Sequence, residues 1–246
     1  MNNKKITAAL IIIGDEILSG RTVDQNINYT ACQLSELGII LKEVRVIGDD
    51  ENEIIINVND LRIKHDYVFT SGGIGPTHDD ITANSIAKAF KQKLILNPIA
   101  QEILFKHYGP QNVNDARLKM AYLPQNAKLL NNPISSAPGF CVENVFVMAG
   151  IPKIYKAMFE SCKTLLNHGD KIFSHEIVIN LTESVIAKDL TDTQNQYPDI
   201  SIGSYPFEGG TSLVFRSINL QKINEAIKKM TDKIININPQ AIINIK

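Results

Sequence analysis

The feature that most limits the fold is the unbroken apolar run Ile6–Ile13, which reads Ile-Thr-Ala-Ala-Leu-Ile-Ile-Ile and carries no charge. A strand with one face in water alternates apolar and polar residues, whereas one covered on both faces does not. Such a strand belongs inside a parallel sheet with helices on either side. The next residues supply those partners. Val23–Leu37 places Ile27, Ala31, Leu34 and Leu37 at helical spacing and stops at Gly38. Ile39–Ile47 returns to strand, Asp49–Ile63 carries Ile54, Ile55, Val58 and Leu61 on one helical face, and Tyr67–Thr70 is a short strand. The glycine-rich segment Ser71–Pro76 then leads into a helix at about 81–90. This βαβαβ order predicts an α/β fold with a doubly wound, mostly parallel sheet.

The pattern then loosens. Helical segments near 98–108 and 112–121 flank Gly109-Pro110, followed by Ala127–Leu130, a turn cluster at 131–139 and a hairpin of Phe140–Val142 with Val145–Met148. A helix is expected from Lys153 to about Leu166, after which Asn167-His168-Gly169-Asp170 breaks the pattern. Strand 176–181, helix 184–193, strands 201–205 and 212–217, helix 220–235 and a last strand at 241–245 follow. That βαββαβ order is the ferredoxin-like arrangement of a small α+β domain. The expected division is 1–170 for the α/β domain and 171–246 for the small one.

Net charge is −1 in 246 residues, which argues against a basic nucleic-acid footprint. No stretch reaches the ~20 apolar residues of a membrane helix. The amino terminus has lysines before an apolar run, as a secretory signal would. The run, however, is short, β-branched and lacks a small-residue cleavage site, and it leads straight into Gly14-Asp15-Glu16. Cys32, Cys141 and Cys162 are far apart and odd in number, which suits a reduced cytoplasm and no zinc site. A cytoplasmic chain with neither membrane nor nucleic-acid partners is expected.

The densest chemical signal is Thr70-Ser71-Gly72-Gly73-Ile74-Gly75-Pro76-Thr77-His78-Asp79-Asp80-Ile81-Thr82. It lies between a strand's carboxyl end and a helix, where open α/β sheets bind ligands. Glycines let backbone approach a ligand closely, and N–H groups at a helix start attract phosphate. It is neither a Walker loop nor Gly-x-Gly-x-x-Gly. Its purely structural reading is a tight turn with Asp79 or Asp80 as a helix cap. Carboxylates at strand ends are the second signal: Asp15 and Glu16 after the first strand, Asp49 and Asp50 after the second, Asp79 and Asp80 after the third. In a parallel sheet these ends share one edge, where converging carboxylates suit a hard cation that bridges phosphate oxygens. Each alone is equally a helix cap worth about 1 kcal/mol. Smaller candidates are Asn26 for a base or ring edge, Arg21 for phosphate, and Ser135 and Ser136 as donors from the Pro/Gly loop 132–140. Thr22 or Asp24 caps the helix beside Asn26, and His78 is loop material.

Several stretches taken together resemble one family. They are Ile12-Ile13-Gly14-Asp15-Glu16-Ile17-Leu18-Ser19-Gly20-Arg21, the run Thr70–Thr82, Tyr122-Leu123-Pro124 with 132–140, and Met148-Ala149-Gly150-Ile151-Pro152. Their order and spacing are similar to the molybdopterin-binding domain of the competence/damage-inducible protein A (CinA) family over residues 5–165, and 202–207 resembles the small domain that follows there. The resemblance implies a fold shared with MogA- and MoaB-like molybdenum-cofactor proteins and with the hydrolase domain of FAD synthases. It implies two acidic residues for cofactor chemistry, at Asp49 and Asp80. It also implies metal-dependent hydrolysis of ADP-ribose-like pyrophosphates, with Asp15, Gly72, Gly73, Gly75, Thr77, Asp79 and Asp80 carried over. Within that set, Asp15, Asp79 and Asp80 are expected to ligate a divalent metal (magnesium, cobalt or manganese), and Ser71 to line the phosphate loop. The expected function is a metal-dependent nucleotide pyrophosphatase acting on ADP-ribose or FAD-like diphosphates. The alternatives are molybdopterin binding in cofactor assembly and a non-catalytic nucleotide or pterin module. A homo-oligomer is expected. Where the family has Pro-Gly-Val-Pro-x-Glu-Met, this chain has Ala149-Gly150-Ile151-Pro152-Lys153-Ile154-Tyr155, without the glutamate. The deamidase activity of longer CinA proteins is expected to be absent.

Overall fold

The computed structural model describes residues 5–245. The chain divides into two compact units, with the division between Gly169 and Asp170.

The first unit opens with β1 (Thr7–Ile13), α1 (Asp15–Leu18), α2 (Asn26–Glu36), β2 (Ile40–Ile47), α3 (Glu51–Lys64), β3 (Tyr67–Ser71) and α4 (Thr82–Ala89). It continues through β4 (Leu94–Leu96), α5 (Pro98–Tyr108), α6 (Asp115–Lys119), β5 (Tyr122–Pro124), β6 (Lys128–Leu130), β7 (Gly139–Val142), β8 (Val145–Met148) and α7 (Pro152–Cys162). The main sheet runs in the order β2-β1-β3-β8-β7-β6. β1 pairs in parallel with β2 and β3, and β3 with β8; β7 is antiparallel to both its neighbours. This is the doubly wound, mostly parallel sheet that the alternation predicts.

The lack of alternation in β1 has its explanation in two separate cores. Ala9, Ile11 and Ile13 pack with Ile54, Val58 and Leu61 of α3 and Ile86 of α4. Ala8, Leu10 and Ile12 pack on the other face with Leu34 of α2 and with Tyr155 and Phe159 of α7. Each fully buried leucine, isoleucine, valine or phenylalanine among them contributes about 1.5–3 kcal/mol, so a central strand that buries both faces anchors the unit. Within the second core the Thr30 and Tyr155 hydroxyls lie 2.6 Å apart, which satisfies a phenol fully buried among carbons.

Some elements depart from the sequence pattern, each for a local reason. α2 starts at Asn26 rather than Val23, because the Asp24 carboxylate accepts the Ile27 N–H at 2.8 Å and caps it there. The helix expected at 112–121 is a 3-10 turn at Pro110–Asn112 followed by the short α6, whose first turn Asn114 caps. α7 ends at Cys162 and tightens into a 3-10 turn through Leu165. β4 and β5 form a two-stranded antiparallel sheet of their own.

The second unit consists of β9 (Phe173–Ile179), α8 (Glu183–Gln196), β10 (Ser201–Phe207), β11 (Gly210–Ser217), α9 (Leu220–Ile237) and β12 (Ile242–Ile245). Its sheet is antiparallel in the order β10-β11-β9-β12, the ferredoxin-like topology. Ile223, Ala226, Ile227, Met230 and Ile234 form the buried stripe of α9, packed on Leu213 and Phe215 of β11. Glu208 and Gly209, the latter at φ +96°, make the β10–β11 turn. Among the described residues no helix is long and apolar enough to cross a membrane.

Candidate functional site

From β1 the chain crosses to β2 on one side, and it places β3 on the other. The carboxyl ends of β1 and β3 therefore flank the point where strand order reverses, the place at which open α/β sheets leave a crevice. Two glycines make this crevice tight. Gly72 has φ +118°, and a Cβ there would lie 2.0 Å from the Ile13 carbonyl oxygen. Gly73 has φ +69°, and its missing Cβ leaves room for the Thr82 hydroxyl. Thr82, the first residue of α4, locks the loop: its Oγ1 donates to Gly72 O at 3.1 Å and its N–H to Gly73 O at 3.0 Å.

Asn26 joins three segments at this edge. It is 1% exposed, and its Nδ2 donates to Ser71 Oγ and to Gly150 O, both at 2.8 Å. The start of α2, the end of β3 and the β8–α7 loop thus share one amide. Ser71 is buried and accepts that bond, so both residues help to build the loop's base, and the buried Asn26 Oδ1 is left without a hydrogen-bond partner among the described residues.

The carboxylates gather beside this loop. Asp15 N–H donates to Asp49 Oδ2 at 3.1 Å, and Asp49 N–H donates to Asp15 Oδ1 at 3.3 Å. Each acid thereby steadies the other's backbone, and their carboxyl groups are held at one rim. Partial burial raises the Asp49 pKa, and the charges of Asp15, Glu16 and Asp79 raise it further against the pull of the Asp15 N–H. Asp50 serves as the cap of α3, accepting from Glu53 N–H at 2.9 Å.

Asp80 turns into its own loop. Its Oδ2 accepts from Thr77 N–H at 2.8 Å and Thr77 Oγ1 at 2.5 Å, beneath Gly75, where a Cβ would sit 2.7 Å from the carboxylate. Asp79 and His78 point outward, with side chains 58% and 98% exposed. Among the described residues no three His, Cys, Asp or Glu side chains converge to hold a metal. The ligand set Asp15, Asp79 and Asp80 is therefore not preassembled, because Asp80 is drawn to Thr77. The pair that does meet, Asp15 with Asp49, suits magnesium in its usual mode of one or two carboxylates completed by water and substrate phosphate.

Other expected residues have partners or positions of their own. Ser135 Oγ accepts from Asn132 Nδ2 at 2.6 Å, and Ser136, at φ +62°, pairs with His107 Nδ1 at 3.0 Å. Both hydroxyls are engaged in shaping the 132–138 turn, which buried Asn132 organises through Ala137 O and the N–H groups of Ile134 and Ser135. Arg21 is exposed. Burial pushes the Cys162 thiol up to about 12, which suits packing rather than nucleophilic work.

A cavity of about 50 Å³ opens beside the glycine loop, lined by Ile74, Gly75, Asp80, Asn84, Lys119 and Tyr122 among others. Asp15 and Asp49 lie outside its lining. Thr82, Gly150 and Asn132 lie within the stretches singled out in the sequence but carry no assigned role there, and Lys119 escaped the sequence reading. For Thr82 the signal was its place just after Asp80-Ile81 at the helix start; the other three depend on contacts across more distant chain or on turn geometry.

Comparison with known proteins agrees with this fold. Residues 9–168 match the family described as a probable molybdopterin binding domain, and 171–241 match the FAD synthase middle domain. A protein of Archaeoglobus fulgidus is 34% identical over 224 residues, covering 91% of this chain and 96% of its own length. A probable FAD synthase of Caenorhabditis elegans is 31% identical over 226 residues, and this chain spans 44% of that longer protein. The crystal structure of CinA from Thermoplasma acidophilum, described as of unknown function, superposes with a TM-score of 0.60 at 33% identity, over 64% of this chain and 97% of that one. The chain belongs to the molybdopterin-binding-domain family, in the CinA-like form whose second domain is that of FAD synthase.

Proposed function

We propose that the protein is a divalent-metal-dependent nucleotide pyrophosphatase acting on ADP-ribose or FAD-like diphosphates. The observation that carries this reading is the shared edge: the Asp15–Asp49 pair and the Gly72–Gly75 loop stand at adjacent strand ends, at the reversal of strand order. The kinship with FAD synthase favours adenine-bearing diphosphates. In this reading the loop from Gly73 to Thr77 holds the diphosphate, and Asp15 and Asp49 hold the cation. A divalent cation, when bound, offsets the charge of the phosphates and of the leaving group. Asp49 orients a water against the P–O–P bridge, and the proton that water sheds as the bridge opens passes to solvent. Water adds across that bridge, so ADP-ribose gives AMP and ribose 5-phosphate. A homo-oligomer belongs to the same proposal and is read by light scattering on a sizing column.

The test is a panel of ADP-ribose, FAD and NADH against magnesium, cobalt and manganese, with AMP measured by chromatography. AMP release from at least one substrate, abolished by EDTA, is the expected result. No AMP under any metal would leave the second reading, pterin binding, which the match over residues 9–168 favours. Copurified pterin fluorescence reports it directly. Tight nucleotide binding without turnover would instead mark a non-catalytic module.

Asp80 has its own test. Asp80→Asn keeps an acceptor for Thr77, so the Tm is expected to stay nearly unchanged, and turnover is lost where the Asp80 charge serves the cation or the attacking water. Asp80→Ala removes that acceptor and is expected to cost about 1–2 kcal/mol as well. Full activity in Asp80→Asn would confine Asp80 to shaping the loop.

A further inference from the structure

Lys119 reaches the glycine loop from far along the chain. Its Nζ donates to the Thr77 carbonyl, across 42 residues of sequence. It ends α6, a single helical turn that is braced on two sides. Arg117 stacks its guanidinium 4.2 Å over the Tyr108 ring and donates to Asn112 O at 2.6 Å. Asn114 caps the same turn through Arg117 N–H at 3.0 Å. The ammonium is therefore delivered from a fixed base, and it forms part of the wall of the cavity that Gly75 and Asp80 also line.

The loop it touches is acidic, and so is the rim at the neighbouring strand ends. Asp15, Glu16, Asp49, Asp79 and Asp80 all belong to the rim or the loop. The Asp79 carboxyl lies below its ordinary range, chiefly through Thr77 and its own backbone N–H, and in smaller part through the charges of His78 and Lys119. A diphosphate brought to such a rim meets repulsion at every carboxylate, and a single divalent cation does not cancel all of it. The protein needs a cation of its own at the loop.

Resting on the pyrophosphatase reading, we infer that Lys119 is a substrate-binding residue whose ammonium leaves the Thr77 carbonyl for a non-bridging oxygen of the bound diphosphate. No bond is made or broken in this exchange, and Lys119 stays protonated. Its charge then holds the phosphate that departs when the bridge opens.

The experiment compares full-length wild type with Lys119→Gln and Lys119→Arg. Glutamine keeps an N–H donor for Thr77 and removes the charge; arginine keeps the charge. Binding of ADP-ribose and of inorganic pyrophosphate is measured by calorimetry in EDTA, AMP release with cobalt, and Tm by circular dichroism. Lys119→Gln is expected to weaken both ligands about 10-fold and to lower kcat/KM about 100-fold, with Tm unchanged and most of the loss recovered in Lys119→Arg. Wild-type affinity for pyrophosphate in Lys119→Gln overturns the inference, as does a fall in Tm that Lys119→Arg shares. If wild type binds diphosphate through Lys119 but releases no AMP, the pyrophosphatase reading fails and the inference stands. If AMP is released equally well by Lys119→Gln, the reverse holds. Wild type that binds no diphosphate in EDTA overturns the inference, while AMP release with cobalt decides the pyrophosphatase reading separately.

Discussion

Gly72→Ala is expected to destabilise the protein by about 4 kcal/mol, combining backbone strain with overpacking. For a chain of this size that is a fall in Tm of roughly 10 °C. At φ +118° an L side chain is strained whatever the space around it. Here the space is also filled, because the new Cβ would lie 2.0 Å from the Ile13 carbonyl oxygen. That oxygen cannot swing aside as a side chain would. Ile13 closes β1, and the next residue, Gly14, donates its N–H to Ile47 O at 3.0 Å, so yielding would disturb both neighbouring strands. Gly20→Ala provides the control. Its φ is +72°, with nothing within 4 Å of the added carbon, so only the left-handed penalty of about 1 kcal/mol applies. Thermal melts of the two variants read the difference, and equal losses would show that contact with β1 does not matter.

Asp49→Asn is expected to lower AMP release on the order of 1000-fold while holding or raising the Tm at neutral pH. Asparagine keeps an oxygen to accept the Asp15 N–H, so the rim's backbone stays in place. What it removes is charge. A raised pKa means that the folded chain holds this proton more tightly than the unfolded chain. Stability is therefore lost as pH rises past the unfolded carboxyl value of about 3.9 and through the folded one, and a neutral side chain avoids that loss. Metal titrated into each protein during the melt gives a second readout. Wild type is expected to gain Tm with magnesium or cobalt, and the variant to gain little. Activity retained in Asp49→Asn would remove this residue from the proposed chemistry.

The sheet was legible because its signal is local. An apolar run without alternation, as in Ile6–Ile13, has few other uses. The candidate rim was legible for a related reason, since residues that follow parallel strands share an edge. What the sequence concealed depends on side-chain direction and on distant pairing. Nothing in Asp79-Asp80 says which acid faces outward, and the choice is made by Thr77, three residues before Asp80. The break of the expected 112–121 helix follows from Asn114, whose side chain takes a cap bond in place of continuing the turn. β9 begins at Phe173 rather than Glu176 because its first residues pair with Ser217 to Phe215 of β11, some forty positions later. Lys119 carries no local mark at all; only the fold sets it against the glycine loop.

The irregularity between β1 and β2 has a consequence for how this rim withstands change in chain length. Thr7 and Ala8 pair with Ile40 and Leu41, but Ala9 pairs with Glu43, which leaves Lys42 as a spare residue in β2. From there to Ile13 and Ile47 the pairing is regular, and continued past the strand ends it sets Asp15 level with Asp49. Carried through without the shift, the earlier pairing would set Gly48 opposite Asp15. The extra residue is taken up at the entrance of the strands, as a kink beside the exposed ammonium of Lys42, so the error in length never reaches the acidic pair. Insertions and deletions near residues 38–42 are thus insulated from the chemistry, whereas one between 43 and 49 would exchange Glu43 and Arg45 with Val44 and Val46 across the sheet and part the two acids together.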